Sequence, residues 1–225
     1  MEQYPMSTEP LRERGKARRY SEIVAAASTL WRQHGIENVS LNQIAATAEV
    51  APQTIYNLIG GVEAIGFAVI KVLLARIDAA LDATAASGIE LALVHAKLSV
   101  EHCTSDAQLY RQVIVRIPRA LFEGTHLGRD TADVAIRAMI KAREEGEIRP
   151  EIDPERLGRS MYINYLGALY DWACGDSGDA DFMRAAEIAI LAPATACAND
   201  GLRAGLSSKL FAALAPAART AAVGE

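Results

Sequence analysis

Residues 40 to 65 place the tightest constraint on how this 225-residue chain can fold. They read Ser-Leu-Asn-Gln-Ile-Ala-Ala-Thr-Ala-Glu-Val-Ala-Pro-Gln-Thr-Ile-Tyr-Asn-Leu-Ile-Gly-Gly-Val-Glu-Ala-Ile. Ser40 and Gln43 form a capping box, in which the hydroxyl accepts from the third helical amide and the glutamine reaches back. Leu41, Ile44, Ala45 and Ala48 then make one apolar side of a short helix. Glu49-Val50 is a turn. Pro52 suits the first position of a following helix, where its missing N–H costs nothing. Ile55 is that helix's core anchor, Leu58 and Ile59 close it, and Gly60-Gly61 breaks it.

Two short helices joined by a tight turn make a helix-turn-helix, here spanning about 40–59. The second helix of such a unit suits the DNA major groove. A third helix precedes them, predicted from about Arg18 to His34. Its predicted inner face is Ile23, Ala27, Leu30 and His34, with Ala26 beside it, and Gly35 ends it.

The charge distribution agrees. The whole chain carries a formal net charge of -5, which by itself argues against nucleic acid. Yet residues 12 to 19 hold Arg12, Arg14, Lys16, Arg18 and Arg19 against Glu13 alone, a net of +4. A basic arm on an acidic body suits a protein that offers one end to phosphates.

The rest of the chain repeats alanine, leucine and isoleucine at helical spacing, with no alternating strand pattern and no internal repeat. Helices are predicted over about 62–86, 89–102, from 105 to a stop or bend at Pro118, 129–145, 153–174 and 180–192. A shorter one is expected within 199–214. Ile65, Val69, Val72 or Leu73, and Ile77 point inward on the first of these. Ile136, Met139, Ile140 and Arg143 form one face of the 129–145 helix. Asp153-Pro154-Glu155 is a strong helix start. Pro193 bends or ends the 180–192 helix.

Cys103, Cys174 and Cys197 lack the spacing of a disulfide framework or a zinc site, and read as small buried thiols of a reducing cytoplasm. No run of 18 apolar residues marks a membrane span. No metal spacing, phosphate loop or nucleophile elbow appears, and no cofactor, metal or catalytic residue is expected. An enzyme built on a helical bundle needs paired Glu-x-x-His motifs, and the four histidines show none.

From Ile23 to Ile65 the chain resembles the DNA-binding domain of TetR-type (tetracycline-repressor-like) transcriptional regulators. The matching residues are Ile23, Ala26-Ala27, Leu30-Trp31, Gly35, Ser40-Leu41, Ile44-Ala45, Ala48, Val50, Thr54-Ile55-Tyr56 and Glu63. Their spacing is ungapped. The Gly146-Glu-Ile-Arg-Pro150 and Asp153-Pro154-Glu155 stretches also look like that family. The chain departs from its pattern at several places. Glu49 stands where the family has Gly, which implies a strained positive φ. Ala51 replaces a capping Ser, Ile59 a Phe, and Val62 a phosphate-contacting Lys. Asn57 and Leu58 replace more basic or aromatic residues.

The resemblance implies an all-α fold: an N-terminal three-helix head and a C-terminal helical ligand-binding and dimerisation domain. The expected division is a disordered basic arm (1–16), the DNA-binding domain (17–62), the helical body (63–214) and a frayed tail (215–225). It implies a cytoplasmic homodimer on a palindromic double-stranded DNA operator, released by a small-molecule effector, with no membrane partner. The 153–174 and 180–192 helices would form a four-helix interface with their symmetry mates.

Within the motif, Gln53 and Asn57 can pair with adenine, and the Thr54 methyl can meet a thymine methyl. Ser40 and Tyr56 hydroxyls suit phosphate oxygens, as do Arg18 and Arg19, and Gln43 can reach a phosphate or a base edge. Effector candidates in the middle helices are His102, Tyr110, Arg116, Tyr162, Tyr165 and Trp172. The alternative is a helical dimeric sensor or protein-interaction module whose head no longer binds DNA.

Overall fold

The structure, a computed structural model, describes residues 11–122 and 127–216. All regular elements among these residues are helices, apart from an isolated antiparallel bridge between Ile148 and Ala198. Helix α1 spans Leu11–His34, and a 3-10 turn follows at Ile36–Asn38. Then come α2 (Leu41–Thr47), α3 (Pro52–Leu58), α4 (Val62–Asp82) and α5 (Gly88–Thr104). They are followed by α6 (Ala107–Ile114), α7 (Ile117–Phe122) and α8 (Asp133–Glu144). The last three are α9 (Pro154–Cys174), α10 (Asp179–Cys197) and α11 (Asp200–Leu214). No single helix among the described residues is long and apolar enough to cross a membrane.

Packing divides the chain into two units. The first takes in the described residues of Met1–Leu74 and Asp106–Leu127, so α6 and α7 belong with α1, α2 and α3. Its core is built on Ile23, Ala27, Trp31, Ile44 and Ile55, each of which loses essentially all solvent contact. Arg32 and Gln112 fasten α6 to the head. The Arg32 guanidinium forks onto both Asp106 carboxylate oxygens. Gln112 accepts from the Ile36 amide at 2.8 Å and donates to the Trp31 carbonyl at 3.3 Å.

The second unit takes in Ala75–Ser105 and the described residues from Gly128 onward. Its helices α5, α8, α9 and α10 close a ring in which each packs on the next, and α11 lies along α10. Trp172, Phe182, Met139 and Met161 fill its centre. Asp153 caps α9, its Oδ1 accepting from the amides of Glu155 at 3.0 Å and Arg156 at 3.2 Å. Gly175, in the left-handed region at φ 91°, ends it.

Several boundaries differ from the sequence expectation. Helix α1 begins at Leu11, so residues 11–16, expected as part of a disordered arm, are helical. Glu13 suits the helix start, and Glu13–Lys16 and Arg18–Glu22 pairs run along the surface. Residues 1–10, the rest of that arm, and 217–225 of the expected tail lie outside the described residues. His34 is exposed, and Trp31 takes the buried place next to Ala27. The bulkier indole pulls the buried stripe round by part of a turn.

The break expected at Pro118 comes earlier, at Val115–Arg116, and Pro118 sits in the first turn of α7, where a missing N–H is tolerated. The buried face of α8 is Val134, Ala135, Ala138, Met139 and Ala142, with Ile136, Ile140 and Arg143 half-buried. Small alanines admit close helix neighbours, so the inner face follows packing and not bulk. Helix α10 runs through Pro193 to Cys197. Contacts with its neighbours hold it across the lost hydrogen bond. Of the cysteines, only Cys103 is fully buried, and Cys174 is exposed. Cys174 ends α9 on its outer side.

Candidate nucleic-acid interface

The interface is built on α2 and α3. The Ser40 Oγ accepts from the Gln43 amide at 3.3 Å. Gln43 Oε1 accepts from the Ser40 amide and from its hydroxyl, both at 2.8 Å. The box fixes the start of α2 and holds both side chains at the exposed head of that helix. Its cost is that Ser40 Oγ and Gln43 Oε1 already have partners, whereas the Gln43 Nε2 takes no part in the box.

Between α2 and α3 the chain turns at Glu49, the one non-glycine residue with positive φ (54°) among the described residues. Its amide donates to the Ala46 carbonyl at 3.2 Å, and the Val50 amide to the Ala45 carbonyl at 3.0 Å. The left-handed turn aims α3 across α2. Ala51 precedes α3 in an extended conformation and supplies no side-chain cap. The first turn is closed by backbone alone, the Thr54 amide donating to the Ala51 carbonyl at 2.8 Å.

Ile55 is fully buried and pins α3 to the head. That anchor decides what points outward. Gln53 and Asn57 are exposed, four residues apart on one side of the helix, and Gln53 Nε2 donates to Asn57 Oδ1 at 3.0 Å. Tyr56 is 58% exposed, which is unusual for an aromatic side chain and fits a partner outside the chain. Thr54 is half-buried. On α1, Arg18 and Arg19 are exposed, Arg18 beside Glu22 at 3.5 Å. The structure therefore presents Gln53, Tyr56 and Asn57 on one short helix, and Ser40 and Gln43 at the start of the helix before it.

The six effector candidates are divided between the two units. Tyr110 and Arg116 lie in the first unit. Tyr110 is buried, and Arg116 pairs with Glu37 beside a cleft of about 20 Å³ lined by Ile36, Phe67 and Val113. The other four lie in the second unit. The Tyr162 hydroxyl donates to Thr131 Oγ1 at 2.5 Å. Tyr162 and Tyr165 rings stand 6.5 Å apart, and Trp172 stacks on Phe182 at 5.0 Å. Trp172 Nε1 donates to Asp179 Oδ1 at 2.7 Å, which ties the end of α9 to the start of α10. His102 is half-buried, its Nδ1 2.8 Å from the Leu98 carbonyl.

Two residues of α5, Ser99 and Cys103, lie against Tyr165. His95, Ser99 and Cys103 follow one another at intervals of four along α5. The Tyr165 hydroxyl reaches Ser99, and burial pushes its pKa well above the usual value. Burial likewise pushes the Cys103 thiol up to about 12 and the His95 imidazole down to about 4. Some of His95 reaches the surface, but its ring sits in dense surroundings. The spacing of four was visible in the sequence. That Ser99 and Cys103 faced Tyr165 was not.

Residues 23–58 match the family model described as bacterial regulatory proteins, tetR family. That stretch of the N-terminal head is similar to the TetR-family DNA-binding domain. The match spans the second half of α1, α2, the turn and α3. Beyond that stretch, the fold is shared with several solved structures. SmeT, the repressor of the Stenotrophomonas maltophilia multidrug efflux pump SmeDEF, is 20% identical, with a TM-score of 0.61 over 81% of this chain and 92% of that one. RolR in complex with resorcinol is 18% identical, with a TM-score of 0.66 over 92% and 98%. A gamma-butyrolactone receptor is 14% identical, with a TM-score of 0.58 over 88% and 98%. No curated protein sequence matches. The chain thus has the TetR-type regulator fold, a helix-turn-helix head with a helical C-terminal domain.

Proposed function

We propose that this protein is a sequence-specific DNA-binding transcriptional repressor, released from its operator by a small molecule. The observation that carries the reading is the outward face of α3. A buried Ile55 leaves Gln53, Tyr56 and Asn57 to solvent on a helix that is set by a capped partner and a tight turn. Residues 17–62 would read DNA, and 63–214 would dimerise and sense the effector.

Gln53 and Asn57 read adenine edges, and the Thr54 methyl meets a thymine methyl. Tyr56, Ser40, Gln43, Arg18 and Arg19 hold phosphates and set register. In the cytoplasm the chain acts as a homodimer through α9 and α10, and holds two copies of α3 about 34 Å apart for a palindromic operator. SmeT has been solved with triclosan and RolR with resorcinol, both small phenols. By analogy the effector is a small molecule drawn to Tyr162, Tyr165, His102 or Trp172 in the second unit, or to Tyr110 or Arg116 in the first. It favours the unbound form by no more than its differential affinity for the two states. The protein acts by binding and not by catalysis.

The test is fluorescence anisotropy with DNA from upstream of the protein's own gene at two salt concentrations. Saturable, salt-sensitive binding that survives competitor DNA supports the repressor reading. Tyr56→Phe then weakens all sequences alike, while Gln53→Ala relaxes preference at particular base pairs. Uniform loss for Gln53→Ala would remove its base-reading role.

A second reading is favoured by the strained Glu49 and the missing cap at Ala51. It holds that the chain is a dimeric sensor whose head no longer binds DNA. Absence of binding at low salt to any DNA tested supports it.

A further inference from the structure

We infer that α11 is part of the surface on which two copies of this chain meet, so that each copy contributes three helices and not two. The inference rests on the homodimer reading above and extends it.

Helix α11 is apolar on more sides than its own chain covers. Leu206 is its one buried residue, and it faces α10. Phe211 is 68% exposed and Leu214 is 55% exposed. A phenylalanine that open to water on an ordered helix calls for a partner.

The position of that flank identifies the partner. Lys209, Ala212 and Ala213 line a groove of about 670 Å³ with residues of α5 and α10. At about 100° per residue, Phe211 lies roughly 160–200° round the helix from Lys209 and Ala213. It therefore faces away from α5, on the other flank of α10. There α10 leaves the stripe Ala185, Ile188 and Ala192, half-buried to exposed. Beyond it α9 leaves Ile163, 60% exposed, and Gly167 one turn on.

The ring order closes the argument. Around α10 the neighbours run α9, α5 and α11, so its bare stripe lies between α11 and α9. Ile163, Ile188, Ala192 and Phe211 therefore fall on the one side of α9, α10 and α11 that the ring leaves uncovered. A two-fold dimer through α9 and α10 buries the middle of it. It then sets the α11 flanks at the edges against the partner. The occupant is a second copy of this chain.

The experiment uses the full chain and sedimentation equilibrium over a range of concentrations, with circular dichroism to follow helix content. Ile163→Asp tests the dimer face itself. Phe211→Asp with Leu214→Asp tests α11. Both positions are largely exposed, so the fold should persist. If helix content nevertheless falls, Phe211→Ala repeats the test with a strong helix former. The expected result is a dimeric wild type, a largely monomeric Ile163→Asp, and a dissociation constant raised at least about tenfold by the α11 changes. If the α11 variants dimerise like wild type while Ile163→Asp does not, α11 lies outside the interface and the dimer reading stands. A wild type monomeric at every concentration removes both.

Discussion

The head and the second unit hold themselves together by different kinds of contact. In the head the decisive hydrogen bonds are local. The capping box joins residues three apart, and the turn is closed by bonds between residues three to five apart. The second unit relies on bonds between distant segments. The Ser87 hydroxyl donates to Glu145 at 2.6 Å, the Ile89 amide to Glu147 Oε2 at 2.8 Å, and the Asn199 amide to the Glu147 carbonyl at 2.8 Å. The lesson is that a short recognition element can be set by neighbours in sequence, whereas the ring of helices cannot. Ring geometry depends on how closely backbones approach.

That difference can be broken most forcefully at the crossing of α8 and α9. Gly158 is buried, and a Cβ there would stand 2.6 Å from the Ala135 carbonyl oxygen and the Ile136 Cα. Those neighbours are backbone, so nothing yields cheaply. Gly158→Ala is expected to destabilise the second unit by about 3 kcal/mol or more. Thermal unfolding followed by circular dichroism checks this. An unchanged Tm would mean that the two helices are free to separate.

The matching disruption in the head is Ile55→Ala. It removes the fully buried anchor of α3 at a cost of about 3 kcal/mol. DNA binding should fall sharply, while sedimentation still reports a dimer. Simultaneous loss of the dimer would show that the two units are not separable in this sense.

A pH effect is expected from the second unit. Folded His95 holds its pKa near 4, below the unfolded value of 6.5, because burial disfavours the imidazolium. Its stabilising contribution is present above pH 6.5 and is lost as pH falls towards 4, since only the unfolded chain takes up the proton. The loss amounts to at most about 3 kcal/mol. Urea unfolding at pH 7 and pH 4.5 should show a smaller difference for His95→Gln than for wild type. An equal difference would assign the acid sensitivity to other groups.

The smallest effects sharpen the local character of the head. Glu49→Gly relieves the positive φ, and Ala51→Ser restores a side-chain cap. Each should stabilise by about 1 kcal/mol or less. If either also tightens DNA binding, the departures at these positions limit affinity. If neither changes stability, the turn carries no strain.

The same contrast explains what was legible beforehand. Ser40, Gln43, Glu49, Pro52 and Ile55 act on residues within a few positions, so their roles could be read one window at a time. His34 was misplaced because its spacing fitted the inner face, while Trp31, three residues earlier, competed for the same space and filled it. The α8 face was misjudged because Ile136 and Ile140 are larger than the alanines that the crossing with α9 required. The tie from Gln112 to Ile36 spans 76 residues and left no local trace. The effector candidates were chosen by residue type, and type does not tell which polar groups face one another across a ring.

The sequence by itself determined the all-helical fold, the capped start of α2, the turn and the outward face of α3, because these follow from spacing and from backbone chemistry within single turns. Only the tertiary structure decided that α6 packs with the head, that α10 continues past Pro193, and that Ser99 and Cys103 face Tyr165 of α9. Each of these depends on a neighbour supplied by a remote part of the chain. Burial there is a property of the assembled helices and not of any one segment.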